Sequence, residues 1–263
     1  MLTSPALTGM PDFHHSVEHL RHHHNLSRES VAHQAGISVS YLHQLIQKRT
    51  IPGPRAFDGL VRVFDLTPAQ RRHLHELIQP SAELALTADM RRHLTNLGVH
   101  AHLNHLDTRD ILAAYTDPLQ TVLHANRTFH RVMPGLAEAD HNIIQWMLTP
   151  TARDIIDNWD GELRYFVTLL RPALGRHRDA PRARTLFRNL RTHREFREAW
   201  DSTPMQVAYD TSRPAPFQIT LPCTTQTLAL SIEIDQYNAC PDVCLTHGLY
   251  NPAERTCPTA IAC

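Results

Sequence analysis

Apolar residues recur at three- and four-residue spacing through the first eighty positions, the period of helices with one buried face. Phe13, Val17 and Leu20 predict a first helix over residues 11–24. Ser27 is a good N-cap for a second helix, which runs to about Ala35 with Val31, Ala32 and Ala35 inward. Gly36 supplies the residue type that tolerates a left-handed turn. Ile37 packs inward, and Ser38 caps a third helix reaching about Lys48, with Leu42 and Leu45 inward. Val39, Ser40, His43, Gln44, Gln47 and Lys48 fall on its outer face. Pro52-Gly53-Pro54 reads as a loop, and Phe57, Leu60, Val61 and Phe64 mark a fourth helix. Thr67-Pro68 starts a fifth, which ends near Ile78.

The pattern changes further on. Met90, Leu94 and Leu97 predict a connecting helix from Thr87 to about Leu97. Residues 111–115 and 120–125 read as strands joined through an Asp117-Pro118 turn, and Asn126 caps a short helix ending near Met133. Long apolar periodicities predict helices over Thr151–Arg171 and Pro181–Trp200. Residues 206–209, 217–221, 227–234 and 243–250 carry strand signals. The fold class expected is α+β: an all-α, five-helix domain, then a PAS-like sensor domain with an antiparallel sheet. The expected divisions are a disordered segment over 1–10, a helix-turn-helix domain over 11–79, and a linker with a connecting helix over 80–104. A ligand-binding domain over 105–255 and a tail over 256–263 complete them.

Two helices joined at Gly36, the second with a polar outer face, suit duplex DNA. A helix in the major groove reads base edges from its N-terminal turns. Val39 offers a methyl contact to thymine, and Gln44 a bidentate amide for adenine. Arg28, Lys48 and Arg49 suit phosphates; Ser27, Ser38, Ser40 and His43 complete the expected DNA-binding set. Leu20-Arg21, Asn25-Leu26-Ser27, Ala35-Gly36-Ile37-Ser38 and Tyr41-Leu42-His43-Gln44-Leu45 resemble the Xre/Cro-type repressor domain. The resemblance departs in two places. Ile46 stands where that family has a Glu that pairs with the Arg at position 21, so Arg21 is left to face solvent or phosphate. Lys48 replaces the Gly that follows the recognition helix. A five-helix domain that binds protein is the alternative.

Strands, helices and strands again give the element order of a PAS-like domain. Residues 87–252 resemble the ligand-binding domain of MmyB-like regulators through Leu123-His124-Ala125-Asn126-Arg127-Thr128-Phe129, Trp159-Asp160-Gly161-Glu162-Leu163 with Leu170-Arg171, and Glu195-Phe196-Arg197-Glu198-Ala199-Trp200. The resemblance implies an actinobacterial transcription factor that binds a small apolar, fatty-acid-like ligand. A His-Pro segment of that family is replaced here by Arg213-Pro214-Ala215-Pro216. Tyr115, Leu123, Phe129, Met133, Trp146, Trp159, Phe166 and Leu170 are the expected ligand-lining residues; ordinary core packing is the competing account of each. Arg164, Arg171 and Tyr115 are candidate anchors for a carboxylate head.

Composition adds limits. The formal net charge is zero, and residues 11–79 hold eight Lys/Arg against six acids, so DNA affinity rests on local placement of charge. No run of 18 apolar residues and no secretory leader pattern are visible, which favours a cytoplasmic protein with no membrane partner. Five cysteines, an odd number, do not suggest a disulfide framework. His15, His19 and His23 have i, i+4 spacing, and Cys240-x3-Cys244-x2-His247 with Cys257 and Cys263 leaves a thiol- or metal-responsive regulator as the alternative function. No phosphate loop, GxSxG or HExxH is present, so no catalytic residue, enzyme activity, cofactor or metal site is expected. A homodimer on a two-fold operator is expected, because one recognition helix reads few base pairs.

Overall fold

A computed structural model describes residues 9–48, 50–209, 215–221, 227–240 and 242–250. Residues 1–8, Arg49, Arg213, Pro214, Cys257, Cys263 and the expected tail lie outside them.

The chain divides into two compact units. The first takes in the chain up to Leu84, together with Arg171–Thr192 and Trp200–Tyr209. Its N-terminal helices are α1 (Phe13–His23), α2 (Arg28–Ala35), α3 (Val39–Ile46), α4 (Pro54–Val63) and α5 (Pro68–Ile78). Their starts follow the expected capping chemistry. Ser27 Oγ accepts from Ser30 N, Ser38 Oγ from Tyr41 N, and Thr67 with Gln70 forms a reciprocal capping box. Gly36 takes the left-handed conformation, φ 69°, between α2 and α3. The core is Phe13, Val17, Leu20, Val31, Ala32, Leu42, Leu45, Phe57, Leu60 and Phe64 with Leu74 and Leu77. Gly59 of α4 is essential to it: a Cβ there would stand 2.3 Å from the Ala35 carbonyl oxygen.

Met205, far along the chain, joins that core, and its carbonyl accepts from Gln70 Nε2 at 3.1 Å. Gly175 approaches α5 so closely that a Cβ would lie 2.9 Å from both His73 and Leu77. The sequence reading closed this core with five helices alone. A fragment ending at Leu84 lacks Met205 and the Gly175 segment, so it should unfold at lower denaturant than the same helices in the full chain; an equal midpoint would show that these later residues add nothing.

His73 is buried at 2% exposure beside Leu74 and Leu77, and its Nδ1 makes no hydrogen bond. Burial, reinforced by the Arg171 charge, pushes its pKa down to about 3. The folded unit therefore excludes a proton that the unfolded chain accepts. This stability is present above the ordinary histidine range near 6.5 and is lost as pH falls toward 3. The slope is at most about 1.4 kcal/mol per pH unit. Acid unfolding should shift to lower pH in His73→Leu; an unchanged acid midpoint would contradict the assignment.

The second unit takes in Ala85–Leu170, His193–Ala199 and the described residues beyond 209. Helices α6 (Thr87–Asn96) and α7 (Val99–Asp107) precede strands β1 (Leu112–Thr116) and β2 (Val122–Ala125). Helices α8 (Arg127–Val132), α9 (Ile143–Met147) and α10 (Pro150–Ile155) follow, with α11 (Trp159–Arg176) as far as Leu170 and α13 (Arg194–Ser202) as far as Ala199, while α12 (Pro181–Leu190) belongs to the first unit. Strands β3 (Phe217–Thr220), β4 (Thr227–Gln236) and β5 (Cys244–Tyr250) complete one antiparallel sheet in the order β2-β1-β5-β4-β3. The α+β class with a helical N-terminal region is thus as expected. Buried Asp117, Asn126 and Asn142 build the loops around β1 and β2. Asp117 Oδ1 accepts from Leu119 N and Thr121 N, Asn126 Nδ2 donates to Ile111 O, and Asn142 Nδ2 donates to Leu119 O.

Several boundaries differ from the sequence reading. The predicted helix over Thr151–Arg171 is two helices, and Ile156 between them bridges Ile219. Pro172 lies inside α11 and does not end it. Pro181–Trp200 is likewise divided into α12 and α13. Residues 206–209 are irregular rather than a strand, and the preceding Met205 is buried in the helical core.

Candidate DNA-reading helix and ligand-binding interior

Helix α3 presents Val39, Ser40 and Gln44 to solvent, with His43 half-buried, while Leu42 and Leu45 anchor it below. Val39 is 37% exposed, so its methyls are accessible to a partner. Gln44 is therefore free to make the amide contact expected of it. Gln44→Ala should weaken operator binding by about 1–3 kcal/mol and relax preference at one base pair. A binding-site selection that returned the same preferred sequence would remove Gln44 as a reader.

The flanking charges are tied into the fold. Glu18 on α1 accepts from Arg21 Nε at 2.9 Å and from Arg28 Nη2 at 2.9 Å. Burial raises the Glu18 pKa, but the hydrogen bonds and charges of Arg21 and Arg28 outweigh it and hold the group at about 2. Arg21 also donates to the Leu26 carbonyl at 2.8 Å, and its side chain is only 15% exposed. The expectation that Arg21 faces solvent or phosphate is corrected: Glu18, one turn earlier on the same helix, replaces the absent partner at Ile46. Lys48 pairs with Asp12 at 2.8 Å and adopts φ 61°, so α3 ends at Ile46 and Lys48 occupies the left-handed position that favours glycine. Arg28 and Lys48 remain partly exposed and keep further donors, so a phosphate contact would share these cations with their carboxylate partners. Ser27 and Ser38 spend their hydroxyl oxygens on the helix caps.

The eight expected ligand-lining residues are all buried, but they do not form one group. Tyr115 and Leu123 join Met90, Leu94, Val99, Leu103, Ala113 and Val243, a cluster under α6 and α7 to which none of the other six belongs. Tyr115 Oη lies 2.8 Å from His102 Nδ1, and burial with the Tyr237 hydroxyl nearby pushes its pKa up to about 12. Trp146 is fully buried and donates its indole N–H to the Pro134 carbonyl at 2.7 Å; Trp159 donates to the Met147 carbonyl at 2.6 Å. Both indoles thus offer ring faces, not donors. Phe129, Met133, Phe166 and Leu170 are buried on α8, just beyond it, and on α11.

Of the head-group candidates, Arg164 is exposed. Arg171 belongs to the first unit, where its guanidinium lies 3.9 Å over the Trp200 ring and Nη2 donates to the Trp200 carbonyl at 2.9 Å. Burial lowers its pKa to about 9 against the opposing Asp201 charge. An open cleft of about 890 Å³, lined among others by Ile51, Phe57, Arg71, Arg72 and His75, also lies in the first unit and includes none of the eight residues.

Among the described residues the cysteine grouping is not assembled; Cys257 and Cys263 lie outside them. Cys244 and His247 are three apart on β5 and so face opposite sides of the sheet. Burial, with the Asp235 charge, raises the Cys244 thiol pKa, which disfavours the reactive thiolate.

Two family models match the chain. A family model described as the MmyB-like transcription regulator ligand binding domain matches residues 98–236, more than half of the chain. The chain belongs to the MmyB-like transcription regulators. A second model, a helix-turn-helix domain, matches residues 15–74, spanning α1 to α4 and most of α5. No curated protein matches the chain. This MmyB-like regulator therefore joins a DNA-binding domain to a small-molecule sensor. No described helix is long and apolar enough to cross a membrane.

Proposed function

We propose that this MmyB-like regulator is an Xre-type, cytoplasmic homodimer whose second unit binds a fatty-acid-like ligand and thereby changes operator affinity. The observation that carries the ligand class is the interior of that unit, where Phe129, Trp146, Phe166 and Leu170 are buried and both buried indole N–H groups are already satisfied by backbone. A cavity opened among these side chains would favour an apolar chain over a polar metabolite. The buried polar residues Asp117, Asn126 and Asn142 are engaged in loop hydrogen bonds, which supports a sensor that performs no reaction on its ligand. An eight-residue recognition helix supports the dimer, since two half-sites supply the specificity one cannot. Ligand and operator would be linked by a two-state equilibrium, whose shift is bounded by the ligand's differential affinity.

Native mass spectrometry of the gently purified full chain tests this reading. The expected species is two chains with lipid-sized adducts, and the stripped protein should change tryptophan fluorescence on titration with fatty acids of graded length. A bare monomer whose fluorescence ignores every fatty acid would overturn it.

A further inference from the structure

The pairing of β4 with β5 gathers three metal-ligating side chains on one face of the sheet. Glu233 and Asp235, two apart on β4, share one face of the sheet, and His247 is paired directly with Glu233 on the same face. One donor atom from each of the three lies within 4.8 Å of the others. The carboxylates are exposed, whereas the His247 side chain is 23% exposed.

The imidazole has two different sides. Nε2 lies 3.1 Å from Glu233 Oε2. An ionised carboxylate only accepts, so Nε2 carries the proton in that contact. Nδ1 is shielded from solvent and makes no hydrogen bond; Asp235 Oδ2 stands 3.8 Å from it. In the neutral ring the Nδ1 lone pair is thus buried and unused.

We propose that His247 and Asp235 form a binding site for a first-row divalent cation of the zinc class, with Glu233 holding the ring. His247 ligates through Nδ1 and Asp235 through Oδ2, while Nε2–H donates to Glu233, as carboxylates commonly hold the far nitrogen of a metal-bound histidine. Ligand atoms at about 2.0–2.2 Å from a tetrahedral zinc stand roughly 3.4 Å apart, so the observed spacing needs a small movement of one exposed aspartate. Because Nδ1 is shielded as the pair stands, Asp235 must swing aside to admit the ion, and water then completes the coordination. The bound ion would pin β4 to β5 near the turn that joins them. The site uses no cysteine and so differs from the thiol grouping that the sequence suggests.

Zinc competition with a chromophoric chelator, on the full chain carrying His19→Ala and His23→Ala to silence the i, i+4 pair of α1, tests the site. One equivalent of Zn²⁺ should bind. Asp235→Asn should weaken it at least about tenfold, and Glu233→Gln by about 10–100-fold. Both side chains are exposed, so both variants should melt like the parent in chelator. His247→Ala should abolish binding; if it does not fold, Asp235→Asn carries the decision. Absence of the one-equivalent event, or its survival at full affinity in Asp235→Asn, would overturn the proposal and leave a simple histidine–carboxylate salt bridge.

Discussion

Trp146→Ala should cost about 3–5 kcal/mol of stability, the range for removing a fully buried large aromatic. The side chain has no solvent exposure, and its indole N–H donates to the Pro134 carbonyl at 2.7 Å. Truncation opens a cavity between α9 and the segment that follows α8, and it strands that carbonyl. Trp146→Phe retains most of the apolar volume and loses the hydrogen bond, so it should cost less, about 1 kcal/mol for the bond beyond the packing change. The order wild type, Phe, Ala in denaturant midpoint is the signature. A loss below about 1 kcal/mol for Trp146→Ala would mean that the indole fills no packed core there.

Gly59→Ala is the second large effect, and its sign is informative. In an open helix this change stabilises by up to about 1 kcal/mol. Here the added methyl would meet the Ala35 oxygen at 2.3 Å and the Ala35 carbonyl carbon at 3.0 Å. Neither backbone atom can rotate aside. Helix α4 must move off the end of α2, immediately before Gly36 and the recognition helix. Overpacking of this kind costs about 1–3 kcal/mol or more, so a net loss near 3 kcal/mol and a marked fall in operator affinity are expected. Gly53→Ala, where nothing lies within 4 Å of the added atom, is the control for steric clash; as a change at the N-cap of α4 it should cost no more than about 1 kcal/mol. A stabilised Gly59→Ala would show that the two helices do not approach in this way.

The helical domain was legible because its signals are local. Ser27, Gly36, Ser38 and Thr67-Pro68 state where helices start and turn, and each behaves as its chemistry requires. Non-local events hid the rest. Helix α7 has only Val99 and Leu103 buried within a polar, histidine-rich stretch, so its period is faint. Apolar residues continue through the break at Ile156, so a single helix and two helices share one pattern. Position 46 is Ile where the resembled family has the glutamate partner of Arg21, and Glu18 supplies that partner from the same helix.

The sensor site was read less well for a reason of the same kind. Alternation in a strand tells that two faces exist, not which helices cover each. Tyr115 and Leu123 therefore looked like companions of Phe129 and Trp146, although they pack with α6 and α7. The pairing of Glu233 with His247 is set by strand register, which single-strand patterns do not encode.

On the proposed function, one chain couples a small apolar ligand to DNA binding. The most direct test of that coupling is the affinity of the full chain for its selected operator, measured by fluorescence anisotropy at fixed salt, first stripped of lipid and then saturated with a long-chain fatty acid. The account predicts a change within the roughly 5–150-fold range of ordinary coupling energies, and loss of that change in variants that no longer bind the fatty acid. Equal operator affinity in the stripped and saturated protein would contradict it.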